Sequence, residues 1–538
     1  MTLLVWGFFL SNAWKGIDFG YHWDEQATTI SIKETVETGV LLPLIYLYPG
    51  MCYDLALLAL LPEAYRELTT GETPWRHMPA ADSLLSSEPS PTRSRFDIIQ
   101  ESLQSYVEQP AYLLTVRRLF AFVSSLLILW VFAALWTTSG TAWLGLLGAG
   151  LAGFSWEFLY HSRWAVPDAM TASFAALVLF VCALILKYPH RTYWFTVAAI
   201  SAGLCASGKY PGAITMLSVS LAIMAATGKT GTSWWKPMIS AWLWFVAAFL
   251  VTSPGTVLNP LRFFDGLQYN KQIYSLGHPG HTIDAGWTHI QAILGYLATS
   301  VSSSQLWLSL LVTLVVVIGI ISLIRQKLRG AWLLVPFALY VLYMGSQNVF
   351  FVRNSQLLIP YWIAFAGAGV WSIWKVEKLK NVLRAALIGL ALVLVAVNAD
   401  AILSSSESIV TRVQDRPQRL PDFLDWLSEQ SEPISLSPQI TAELNHRNLP
   451  LPPNSVGTFA EAQLIAFYLS EENSYWPKWE AHHRHLFRAE FGPREVNLNY
   501  YPFWGGEDRI VVIPRATAQS FGIRQFSNRV GPWPLFER

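Results

Sequence analysis

Charge is scarce in this sequence. Only 14% of its 538 residues are Asp, Glu, Lys or Arg, against about 25% in an ordinary soluble domain. The net charge is +1, so no basic field is present to hold a nucleic acid. Cysteine is scarcer still. Cys52, Cys182 and Cys205 lie far apart in apolar stretches, which excludes a disulfide framework and any metal-ligand spacing; they read as small packing residues. No internal repeat and no coiled-coil heptad is visible. What fills the chain instead is apolar: 53% hydrophobic residues, with 25 Trp, 21 Tyr and 29 Phe, and a mean hydropathy of +0.34. This composition is that of an integral membrane protein, with Trp and Tyr supplied for the membrane–water interface.

Runs of roughly 17–25 apolar residues, the length that spans a bilayer, recur near 112–137, 141–161, 168–187, 192–208, 210–227, 237–253, 303–324, 331–347, 355–374 and 382–404. The opening run, 1–14, is shorter. It lacks a basic leading region and a small-residue cleavage site, so it reads as a first span, with a clipped start, rather than a signal sequence. The expected fold is therefore mainly α: a polytopic membrane protein of about eleven transmembrane helices. Residues 1–404 form the membrane domain and 405–538 a small soluble α/β domain, with a helical pattern at LPDFLDWLSEQ and strand-like runs at PISLS and RIVVIP.

Basic residues in short loops set the orientation. One set of loops holds Lys187 and Arg191; Lys229 and Lys236; Arg325, Lys327 and Arg329; and Lys375, Lys378, Lys380 and Arg384. The opposite short loops hold a single basic residue each: Arg163, Lys209 and Arg353. The first set is expected on the cytoplasmic side. The loops 15–109 and 253–302 and the C-terminal domain then face outward. Within the first outer loop, EQATTISIKETVETG is expected as an interfacial helix, YPGMCYDLALLALLP as a second semi-apolar stretch, and the Pro/Ser-rich ETPWRHMPAADSLLSSEPSPTRSR as loop.

The rare charges gather on that outer side. Asp24 and Glu25 follow the first span in YHWDEQ. Arg117 and Arg118 open the second span, Arg163 and Asp168 share the turn YHSRWAVPDAM, and Lys209 stands in ASGKYPG. Arg353 begins FFVRNSQLLIP, and His278 and His281 lie in GHPGH. Ionisable groups at a bilayer edge mark function more often than not. Cations at one depth suit a phosphate anchored to a lipid tail, and a carboxylate beside them suits a general base acting on a hydroxyl. Each residue also has a plainer role open to it. Asp24 and Glu25 suit the start of a helix, as Asp168 does after Pro167, and the arginines and Lys209 suit snorkelling to headgroups. The HHRH cluster at 482–485 has no partner motif and reads as a solvated or interdomain face, with metal binding the lesser alternative.

The order of these features resembles the GT-C membrane glycosyltransferases, in particular the protein O-mannosyltransferase-like family 39, which includes the aminoarabinose transferases acting on lipid A. His22-Trp23-Asp24-Glu25 is similar to its His-Pro-Asp-Glu motif, with Trp for Pro. Tyr48-Pro49-Gly50 is similar to a Tyr-Pro-Pro element. Arg117 or Arg118, the Arg163…Asp168 turn, SGKYPG, Asn259-Pro260 and GHPGH follow in family order. RNSQLLIP resembles the start of a late span, with Asn354 where Tyr is usual. The likeness covers about residues 1–400. It implies inverting transfer of a hexosyl or pentosyl group from a polyprenyl-phosphate donor to an acceptor hydroxyl on a protein, lipid or glycan. The site would face outward from a bacterial plasma membrane. It further implies Asp24 as base, Glu25 as its orienting neighbour, and Arg117, Arg118, Lys209, Arg353 and His278 at the donor phosphate. His22, Tyr48, Arg163 and Asp168 would position donor or acceptor. The lipid-linked sugar is the co-substrate; no metal is implied. The alternatives are a transporter or flippase of lipid-linked saccharides, whose usual repeats and midplane charges are not seen, and a non-catalytic scaffold.

Overall fold

The computed structural model describes residues 1–17, 24–70, 95–107, 110–277, 282–377 and 380–428, and five strands in the segment beyond. Among the described residues, seven helices are long and apolar enough to cross a bilayer: Ala111–Ser139, Pro167–Lys187, Tyr210–Thr230, Trp235–Thr252, Leu306–Arg325, Val352–Trp374 and Asn381–Glu407. Ala142–Gly153 and Trp156–Ser162 form a broken pair bent by 61°, and Thr2–Trp14, Tyr193–Gly208 and Gly330–Gly345 are shorter apolar helices. Together these account for the eleven hydrophobic segments of the sequence. The fold is that of a polytopic helical membrane protein.

Helix Pro167–Lys187 is the axis of the bundle, with 78% of its apolar window buried. Lipid is as apolar as a leucine side chain, so burial of apolar surface does not drive such helices together; close van der Waals packing does. The sequence provides for this with Ala169, Ala172, Ala175 and Ala176, all buried on this helix. The same logic governs the Leu306–Arg325 and Ile359–Trp374 pair. There a Cβ on Gly319 would collide with the Phe365 carbonyl and one on Gly369 with the Val315 carbonyl. Trp235–Thr252 is the opposite case: only 6% of its window is buried, and Trp242, Leu243 and Val246 are exposed for lipid.

The first outer loop differs from expectation in one respect. Helix Glu25–Thr38 is not the interfacial one. It buries Ile32 and Val36 in a cluster with Met51, Tyr53, Tyr106 and Tyr112. The outward apolar face belongs to Leu61–Thr70, where Leu61, Tyr65 and Leu68 are exposed while Glu63 and Glu67 turn inward. That is the pattern of a helix lying at a membrane surface. Its i, i+4, i+7 apolar spacing was in the sequence, but only packing of the other helices shows which stripe is left over.

Between these helices, burial pushes the Asp54 carboxyl up to about 7. Unfolded, it titrates near about 3.9. Between those values the unfolded chain holds fewer protons than the native one, so native stability falls as pH rises through the window and levels off above it. The apparent melting midpoint in detergent should therefore drop between pH 4 and pH 7, and Asp54→Asn should flatten that drop. An unchanged slope in the variant would assign the pH dependence elsewhere.

The last span does not stop near 404. Helix Lys380–Ser428 runs on without a break, so the boundary expected at 405 lies inside it, and LPDFLDWLS is its final part. Beyond it, β1 (Ile434–Leu436), β2 (Ser455–Thr458), β3 (Asn499–Tyr501), β4 (Ile510–Pro514) and β5 (Gln525–Phe526) form one sheet of order β3-β4-β1-β2-β5. β1 and β2 are parallel and the other pairs antiparallel. β1 and β4 are the runs PISLS and RIVVIP that the sequence marked as strands.

Candidate functional site

Asp24 caps helix Glu25–Thr38 by position but not by a side-chain hydrogen bond to it. Its Oδ2 instead accepts from Arg353 at 2.7 Å and from the Tyr48 hydroxyl at 2.8 Å. Glu25, one residue on, faces a different partner. Arg117 grips it with both arms of the guanidinium, Nε to Oε1 at 2.8 Å and a terminal nitrogen to Oε2 at 2.6 Å. The other terminal nitrogen donates to the Ile17 carbonyl at 2.8 Å, and Trp164 lies under the charge with its ring centroid 4.9 Å away. Both Arg117 and Glu25 are 1% exposed. Glu25 Oε1 also takes the Ala165 N–H at 2.7 Å. The adjacent acids are thus split: Glu25 is enclosed and ties the outer loop to the Arg163…Asp168 turn, while Asp24 faces the cleft cations.

A second ion pair stands beside the first. Pro167 at N1 starts the central helix, as its fixed φ favours, and puts Asp168 in the first turn. Lys209 terminates Tyr193–Gly208 in extended conformation, which aims its side chain across at Asp168, Nζ to Oδ1, 2.6 Å. Nζ also donates to Asn354 Oδ1 at 2.6 Å. Asn354 is held in turn by the Tyr274 hydroxyl, 3.0 Å from its Nδ2, and by Tyr340, whose hydroxyl donates to its carbonyl at 2.6 Å. Arg353 and Asn354 share the 3-10 segment Val352–Leu358. Asp168, Lys209, Arg353, Asn354 and Tyr340 line one narrow cleft.

The remaining residues singled out in the sequence disperse. Arg118 is exposed. Arg163 is 1% exposed and bridges the Asn12 carbonyl and the Ser406 hydroxyl, each at 2.9 Å, which staples the first and last spans to the turn. His22, His278 and His281, the Pro/Ser-rich piece and the HHRH cluster lie outside the described residues. Tyr48 is half-buried, and its hydroxyl is pushed above its ordinary range, by burial of the ring end first and then by the Asp24 charge, so it donates to that carboxylate rather than ionising. Gly50, in the same element, sits where a Cβ would strike the Thr252 carbonyl, and its N–H donates to Ser253 Oγ at 2.9 Å. Sequence reasoning missed Tyr274 and Tyr340. Each lies in the C-terminal part of its helix, Pro260–Leu276 and Leu328–Gly345, a position also usual for interfacial tyrosines, so nothing distinguished them.

The chain is similar to ArnT from Cupriavidus metallidurans. In its apo state that protein matches with 13% identity over 95% of this chain and 97% of its own, at a TM-score of 0.49. Bound to undecaprenyl phosphate, it matches with 12% identity over the same shares, at 0.48. The oligosaccharyltransferase of Archaeoglobus fulgidus in its apo form matches with 12% identity over 75% of this chain and 56% of its own, at 0.42. These neighbours are membrane glycosyltransferases of the GT-C fold. No family model and no curated protein matches the sequence.

Proposed function

We propose that this protein is a membrane glycosyltransferase that moves a sugar from a polyprenyl-phosphate carrier to an acceptor hydroxyl on the outer face, with inversion. The reading is carried by the cleft itself: two cations, Arg353 and Lys209, side by side at the helix ends, each paired with its own carboxylate, Asp24 and Asp168. Two such cations suit the oxygens of one phosphate, by charge-assisted hydrogen bonds. In this reading donor phosphate draws Arg353 away from Asp24. Asp24 then takes the proton of the acceptor hydroxyl. The acceptor oxygen forms a bond to the anomeric carbon as the carbon–oxygen bond to phosphate breaks, and the electron pair leaves on the phosphate, where Arg353 and Lys209 meet the developing charge. Tyr48 holds Asp24 in place. Asp168 orients Lys209 and faces the donor sugar. Arg117, enclosed with Glu25, acts on the site by fixing the Asp24–Glu25 segment rather than by touching phosphate.

The test is a panel of polyprenyl-phosphate sugars supplied to the reconstituted protein, read by mass spectrometry for free polyprenyl phosphate and glycosylated acceptor. Release is expected with at least one donor. Lys209→Met should cut it by about 10²-fold or more, the usual cost of removing one group that stabilises transition-state charge. No release from any donor, with transbilayer movement of intact lipid-linked sugar, would replace the enzyme by a flippase.

A further inference from the structure

Behind the cleft lies a buried polar chain that the proposed chemistry does not use. Glu157 stands in Trp156–Ser162, the second half of the broken span, and is 6% exposed. Its Oε2 accepts from the Tyr296 hydroxyl at 3.1 Å. Tyr296, 2% exposed, accepts in turn from Gln356 Nε2 at 2.9 Å. Gln356 is fully buried and lies one 3-10 turn beyond Arg353, at three residues per turn. An ionisable group at this depth is costly to keep and is retained where it does something.

We infer that Glu157 and Tyr296 are positioning residues for the phosphate seat, acting through Gln356 on the turn that carries Arg353 and Asn354. The inference rests on the function proposed above. Direction in the chain is set at its far end. The Glu157 carboxylate accepts, so the single Tyr296 proton points to it, and the hydroxyl oxygen is left to receive the Gln356 amide. Gln356 Oε1 is buried with no hydrogen-bond partner, so its Nε2 bond is what fixes the amide rotamer. Tyr340 holds the same turn by the Asn354 carbonyl, and Tyr274 by the Asn354 side chain. Without the Gln356 bond the buried segment keeps its hold at Asn354 but loses the side-chain tie one turn on, and the turn that presents Arg353 is less tightly fixed. Arg353, one residue before Asn354, then loses its aim.

The chain makes a prediction about coupling that a merely stabilising role does not. Titrate the protein in nanodiscs with polyprenyl phosphate, using wild type, Tyr296→Phe, Arg353→Ala and the double variant. Tyr296→Phe should weaken binding on the order of tenfold, within the range for coupled neighbours. In the Arg353→Ala background it should cost nothing further, because the side chain it aims is gone. Glu157→Gln, which keeps an acceptor oxygen, should lose less affinity than Glu157→Leu at equal folded fraction; this second comparison stands if Tyr296→Phe does not fold. Losses that add in the double variant, or equal affinities for the two Glu157 variants, would overturn the inference alone. A wild type that binds no polyprenyl phosphate would overturn the proposed function and this inference with it.

Discussion

Asp24→Asn should lose about 10²–10⁴-fold in turnover, the usual contribution of a general base, without losing affinity for polyprenyl phosphate. Asn has the size of Asp and still accepts a hydrogen bond from Tyr48, now 2.8 Å from Oδ2, but it takes no proton at neutral pH. The structure sharpens the binding half. Arg353 is held by Asp24 at 2.7 Å, so carboxylate and phosphate compete for the same guanidinium. Removing the carboxylate's charge removes the competitor, and affinity should rise rather than fall. A helix-capping role predicts a silent variant, because Asn caps about as well as Asp; here the Asp24 side chain makes no cap bond. Turnover and lipid binding are to be measured on one preparation. Near-normal turnover would rule out the base assignment.

Arg117→Ala should be the most destabilising single change in the site. It strands Glu25, 1% exposed, as a buried carboxylate without its fork, and breaking a buried pair from one side typically costs about 3–5 kcal/mol. A fall in the melting midpoint on the order of 10 °C follows. Arg117→Lys should not restore it, since one ammonium does not span both Glu25 oxygens and the Ile17 carbonyl. The double change Arg117→Met with Glu25→Leu should recover most of the stability, because an apolar pair in place of a buried ion pair is often neutral. It should also retain lipid binding, and so separates this assignment from a phosphate contact. Loss of polyprenyl phosphate binding in that stable double variant would return Arg117 to the donor. Arg118→Ala, at an exposed position, should leave both properties within experimental scatter.

Much was legible before any coordinates. Hydropathy located all eleven apolar segments, because a span must satisfy its backbone within itself and so announces its length in sequence. The bias of Lys and Arg across short loops singled out Arg163, Lys209 and Arg353 as exceptions, and two of the three line the cleft. Pairing was not legible. Asp24 and Glu25 are adjacent, yet a helix start turns neighbouring side chains in different directions. Which one meets Arg117, 92 residues away from Glu25, and which meets Arg353 depends on how distant helix ends converge. Asn354 appeared in sequence as a departure from the family pattern; only the fold shows it completing the hold on Lys209. Arg117 looked like a cation for phosphate because sequence gives charge and side but not depth, and depth decides whether a guanidinium serves a ligand or a buried neighbour. The tyrosines followed the same division. Composition explained their presence at the membrane edge and the family likeness pointed to Tyr48, but tertiary packing alone brought the Tyr274, Tyr296 and Tyr340 hydroxyls to the segment that carries Arg353.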